Sequence, residues 1–263
     1  AVGKDSLQAN TTGSKNAAVG KTSLTSNTTG NQNSAFGMLA LDANTTASEN
    51  AAFGYASLAS NTTGTANTAC GRAALNSNTT ASNNTGVGTN ALITNTTGES
   101  NTAIGKGALD ANTTANNNVA VGRDSMGSNT TGTENTACGT ASLSSNTTAS
   151  SNTAIGHQAL TLNTTGAANT AVGNNSLKLN TTGQKSVAVG GNALEANTTG
   201  SFNTACGEKA LNDNTTGSQN VAIGQHALGS NTTADNNCAI GLDSLLSNTT
   251  GSNNVAVGTA SCI

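Results

Sequence analysis

Asn163-Thr-Thr-Gly-Ala-Ala-Asn-Thr-Ala-Val-Gly-Asn-Asn-Ser-Leu-Lys-Leu179 is one copy of the 17-residue unit whose repetition decides the fold. Its opening triplet Asn-Thr-Thr begins at Asn10 and recurs fifteen times, the last copy at Asn248, with no insertion or deletion. Numbering the unit from its first Asn sorts the positions into classes. Positions 1–3 are always Asn-Thr-Thr, and position 4 is Gly or Ala. Position 7 is Asn except at Ser186, and position 9 is Ala except at Gly86. Position 10 is Val, Ile, Phe or Cys, and position 11 is Gly in every copy from Gly3 to Gly258. Position 14 is Ala or Ser, and position 15 is Leu apart from Met126 and Cys262. Positions 5, 6, 12, 13 and 16 vary and carry nearly all the charge.

Each class has a physical meaning. Variable charged positions face water. An unvarying Gly at position 11 (Gly20, Gly105, Gly190 and Gly258 among them) calls for positive φ or close backbone approach. Position 4 tolerates Ala47, Ala81, Ala115, Ala149 and Ala234, which points to an ordinary φ. Asn at positions 1 and 7 suits corners, and stacked copies such as Asn10, Asn27, Asn61, Asn163 and Asn248 can form amide ladders. Leu at position 15, as at Leu7, Leu75 and Leu160, supplies the regular large apolar side chain.

Seventeen residues are too few for a helical hairpin repeat, and Asn, Thr, Ser and Gly are poor helix formers. Runs such as Asn220-Val-Ala-Ile-Gly224 read as short strands closed by a Gly turn. Positions 14–17 or 1–3 offer a second short strand. The expected fold is all-β: a parallel β-solenoid, or β-roll, of about fifteen coils at roughly 4.8 Å each. Residues 1–263 read as a single continuous array, uncapped at both ends and part of a longer chain. Alternation along the strand puts positions 8 and 10 on one face and position 9 on the other. Neither face is polar and variable, so one fills the coil and the other meets a second chain. Val19, Phe36, Phe53, Cys70, Cys138 and Cys206, all at position 10, are the candidate interchain contacts.

Composition narrows the function classes. Aromatic residues make up 2%, charged residues 8%, and the formal net charge is −3. No basic patch is evident, which argues against nucleic acid, and no apolar run of membrane-spanning length exists. Cys70, Cys138 and Cys206 recur four coils apart, beyond the reach of a disulfide within the chain. Cys238 falls at position 8 and Cys262 at the Leu position, so the cysteines read as small apolar fillers. His157 and His226 fall at variable, solvated positions. No Cys–His spacing fits zinc, no acidic cluster fits calcium, and no catalytic triad or phosphate loop is formed. The chain therefore reads as a non-enzyme without cofactor or metal. Each Asn-Thr-Thr matches the N-glycosylation acceptor pattern, but a corner role with the amide bonded inside the stack is the simpler reading.

The units Ser186-Val-Ala-Val-Gly190, Asn220-Val-Ala-Ile-Gly224 and Asn254-Val-Ala-Val-Gly258 resemble the head repeats of trimeric autotransporter adhesins. Similar Asn-Thr-Ala-Ile-Gly repeats occur in phage tail-fibre-like proteins. The adhesin head unit is shorter; this one adds an Asn-Thr-Thr corner. The resemblance implies a left-handed parallel β-roll bundled in threes, an extracellular, cell-surface or virion-fibre location, and attachment to a surface or matrix ligand. It brings no catalytic residues. The leading expectation is a structural segment of a fibre, filament or adhesin, homotrimeric or filamentous, without membrane insertion. The alternative is ice binding through the Thr residues of positions 2 and 3, although adjacent Thr residues point to opposite faces.

Overall fold

A computed structural model describes residues 1–262. The chain divides into two compact units, residues 1–133 and 134–263, and each is a parallel β-solenoid. The first unit carries seven three-residue strands, from β1 (Ala17–Val19) to β7 (Val119–Val121). The second carries eight, from β8 (Thr136–Cys138) to β15 (Val255–Val257). Within each unit residue n pairs with residue n+17, as in Ala17 with Ser34, Ala18 with Ala35 and Val19 with Phe36. No helix occurs among the described residues.

Each coil contributes one strand, at positions 8–10, and not two. Among the described residues the expected second strand at positions 14–17 or 1–3 does not form: position 15 enters the left-handed region inside the first segment, and at positions 1–3 the N–H groups of Thr28 and Thr29 converge on one carbonyl, Thr45 O. Position 6 (Lys15, φ 58°), position 13 (Thr22, φ 55°) and position 15 (Leu24, φ 52°) all lie in that region, and the same holds in the other coils. These segments still bond from coil to coil: Leu24 N–H donates to Ala40 O at 3.0 Å, and Thr28 N–H to Thr45 O at 2.8 Å. A left-handed non-Gly residue costs about 1–2 kcal/mol. Burial of a Leu side chain, worth about 1.5–3 kcal/mol, offsets that cost at position 15, where Leu24, Leu75 and Leu160 are fully enclosed. Leu7 has the same φ sign and is half-buried.

The interior is narrow. Position 9 points inward, so Ala18, Ala35, Ala52 and their counterparts meet the Leu column at essentially no exposure. At position 11 the backbones of successive coils nearly touch: Gly20, Gly105, Gly190 and Gly258 have φ between +125° and +138°. A Cβ on Gly105 would stand 2.4 Å from Gly122 O. Position 4 has no positive φ, but a Cβ on Gly64 would stand 2.1 Å from Ala81 O. Close approach, and not φ, keeps this position small, and Ala never occupies it in two successive coils.

Two substitutions test this account. Gly105→Ala combines a strained φ with a backbone clash and should destabilise the fold by roughly 2–4 kcal/mol. Thr22→Asn relieves a β-branched residue of the left-handed conformation and should stabilise by about 0.5–1 kcal/mol. Chemical denaturation of the two variants beside the parent checks both signs.

Candidate functional surface

Two columns of buried amides run through each unit. At position 1, Asn27 Nδ2 donates to Asn10 Oδ1 at 2.9 Å and to Gly30 O at 3.1 Å. Asn61 repeats this with Asn44 Oδ1 and Gly64 O, and Asn163 with Asn146 Oδ1 and Gly166 O. Asn27, Asn61 and Asn163 are fully buried, while Asn10 and Asn248 are half-buried. At position 7 the Asn side chain serves the neighbouring backbone. Asn33 N–H donates to Asn16 Oδ1 at 2.9 Å, and Asn33 Nδ2 to Ala47 O at 2.8 Å. Ser186 keeps half of this role: its hydroxyl accepts from Asn203 N–H at 3.2 Å. The carbonyl it cannot reach, Gly200 O, still receives Asn197 Nδ2 at 2.9 Å. At the fully buried copies, such as Asn27, Asn61 and Asn163, amides with both N–H groups engaged leave no room for a sugar on the sequon.

Position 2 spends its hydroxyl inside the stack: Thr28 Oγ1 donates to Thr45 O at 3.0 Å. Only the position-3 Thr rank faces outward. Position 5 is less free than its variability implies. Ser14 N–H donates to Asn31 Oδ1 at 2.8 Å, Asn31 N–H to Ser48 Oγ at 2.9 Å, and Ser218 N–H to Asp235 Oδ1 at 2.6 Å. Short acceptors recur there, and that preference is the sequence signal for this third ladder.

The outward face of the sheet is the main candidate surface. Positions 8 and 10 point to solvent on either side of the inward Ala. Val19, Phe36 and Phe53 are about two-fifths exposed, as are Ile104, Ile155 and Ile223. Phe36 and Phe53 stack with ring centroids 5.2 Å apart. Cys70, Cys138 and Cys206 lie exposed in the same rank and are free thiols. Positions 8 and 10 hold no charged residue in any copy.

Among the described residues no group of three or more His, Cys, Asp or Glu could hold a metal. His157 Nδ1 lies 3.2 Å from Asn174 Nδ2, and His226 Nδ1 lies 3.1 Å from Asp243 Oδ1, both near the surface. An open depression beside His226, lined also by Lys209, Asp213 and Leu246, forms where Gly229 lacks a side chain. Among the described residues no helix is long and apolar enough to cross a membrane. Two carboxyls are perturbed. Partial burial pushes Asp110 above its ordinary value, a backbone N–H from Ala111 opposes it, and Asp124 adds to the rise. Burial likewise raises Asp42, against a hydrogen bond from Thr25.

Asn112 receives and gives at the centre of its column, bonding Asn95 Oδ1, Ala115 O and Asn129 Nδ2. Asn112→Ala strands Asn95 Oδ1 and one N–H of Asn129 Nδ2, while Ala115 O keeps Asn101 Nδ2 at 2.8 Å; it should cost roughly 2–4 kcal/mol, at about 1–3 kcal/mol per unsatisfied group, measured by urea denaturation. A raised folded-state pKa means that the folded chain holds the proton more tightly than the unfolded chain. The contribution is complete below the ordinary value of 3.8 and lost as pH rises through the folded value. Asp110→Asn should therefore raise the melting temperature at neutral pH, with the gain shrinking in acid. Secreted from a eukaryotic host, the folded chain should show the intact mass of the bare polypeptide. Compared with protein family models and with curated proteins, the chain matches none.

Proposed function

We propose that this chain is a structural repeat segment of an extracellular fibre, filament or adhesin, which self-associates along the outward face of its sheet. The observation that carries the reading is the position-10 rank: it points to solvent and yet is apolar in every copy. All-parallel sheets almost always have both faces covered. Here the coil interior covers one face, and the other lies open. Ranks two residues apart and coils about 4.8 Å apart give a strip of roughly 32 Å² per coil. Seven strands in the first unit and eight in the second then expose strips of about 220 and 260 Å² by that spacing. Exposed apolar surface of a few hundred Å² marks interaction sites, and in each unit the position-10 rank supplies its apolar part. The resemblance to adhesin head repeats favours three copies about a common axis.

A second reading, ice binding, has one observation in its favour. Positions 8 and 10 give two coplanar ranks, with Thr68, Thr85 and Thr102 in consecutive coils and Thr136, Thr153 and Thr170 likewise. This surface, and not the Asn-Thr-Thr corner, would be the one to test.

Light scattering on a reduced sample should give a mass of several chains. Ile104→Asp with Ile223→Asp should shift it to one chain while the circular dichroism spectrum is kept. A monomeric parent would overturn the self-association reading. Thermal hysteresis in that monomer, lost in the double variant, would establish the ice-binding one.

A further inference from the structure

Position 12 is the residue just past the Gly turn, alongside the outward rank. In the first unit its eight occupants are Lys4, Lys21, Met38, Tyr55, Arg72, Thr89, Lys106 and Arg123. Five are cations and none is acidic, although the unit holds only six Lys and Arg residues in all, against six Asp and Glu. In the second unit position 12 holds no Lys or Arg and one acid, Glu208. Stacking n on n+17 turns this preference into a line of charge about seven coils, or roughly 34 Å, long. All five cations are exposed. Arg123 Nε lies 3.6 Å from the exposed Asp124 carboxylate. Among the described residues Lys4, Lys21, Arg72 and Lys106 have no carboxylate within ion-pair distance. The gap between Lys21 and Arg72 is filled by Met38 and Tyr55, which are 42% and 46% exposed, beside the stacked Phe36 and Phe53. Three of the chain's four aromatic residues thus sit in two adjacent coils, in the middle of the cation line.

We infer that the position-12 column of the first unit binds a linear acidic polysaccharide. Tyr55 offers a flat face for the C–H surface of a pyranose ring, and the cations on either side meet uronate carboxylates, which Arg takes bidentately. A line one residue wide suits an extended chain. Nucleic acid is the less favoured occupant, because its bases stack on successive aromatic side chains and the position-12 column holds one, Tyr55. The inference rests on position 12 alone, which lies past the Gly turn and beside the outward face, and not on the self-association reading.

The test uses the full chain and immobilised polygalacturonate at low ionic strength, with neutral dextran and a thymidine oligonucleotide as comparators. The parent should bind polygalacturonate and not dextran. Removing four column charges in K21Q/R72Q/K106Q/R123Q should weaken binding at least about tenfold and flatten its salt dependence. K178Q/K185Q/K209Q, which removes the three cations of the second unit, should change it less than about twofold. Tyr55→Ala should weaken binding with the salt dependence kept. Absence of binding, or equal loss in the two cation variants, overturns the inference. Tighter binding to the oligonucleotide overturns the choice of a polysaccharide.

Discussion

Every feature of this protein depends on one constraint: each coil must hydrogen-bond to a copy of itself one strand spacing away. Residue n meets residue n+17, so any side chain inside the coil must be compatible with its own image above and below. Asn satisfies this because an amide is both donor and acceptor, and a column of amides closes on itself. Gly at position 11 satisfies it because successive backbones pass within contact distance of the missing Cβ. Ala at position 9 and Leu at position 15 satisfy it by filling a cross-section too narrow for anything larger. A core without aromatics is thus a consequence of stacking and not a deficiency of the sequence.

The same constraint explains how the fold tolerates its strain. Three left-handed residues per coil would be costly in isolation. Here each donates its N–H to a carbonyl of a neighbouring coil, as Gln32 does to Ser14 O, Leu39 to Lys21 O and Leu24 to Ala40 O, and position 15 gains the burial of Leu. The enclosed amides matter as much as the apolar contacts, since the apolar side chains are few and mostly Ala. Ser186 illustrates the margin: one amide can be replaced because its carbonyl partner has a second donor.

The repeat, its period and the parallel stack are legible in the sequence, since a strict period leaves few folds open, and alternation separates the two faces of the strand without saying which one points inward. Three things are not. The absence of a second strand leaves no mark in residue type: position 15 is left-handed although it is nearly always Leu, and Thr28 and Thr29 share the acceptor Thr45 O although Thr favours strands. The position-5 ladder was hidden by pooling Ser, Asn and Asp as variable when they share one role as acceptors. The position-12 cations were hidden in the same way, since a modest net charge averages over positions that the fold keeps apart. Reading each column alone down the repeat would have shown both.

The position-1 amides have one further property. Each Nδ2 donates to the Oδ1 of the preceding coil, as Asn27 does to Asn10 and Asn44 to Asn27, so all the bond dipoles in a column point the same way. Reversing one amide would set oxygen against oxygen on one side and N–H against N–H on the other. Orientation is therefore a collective choice: the column acts as a single polarised wire whose links strengthen one another, and it gives each unit a sense of direction that its symmetric-looking repeat conceals.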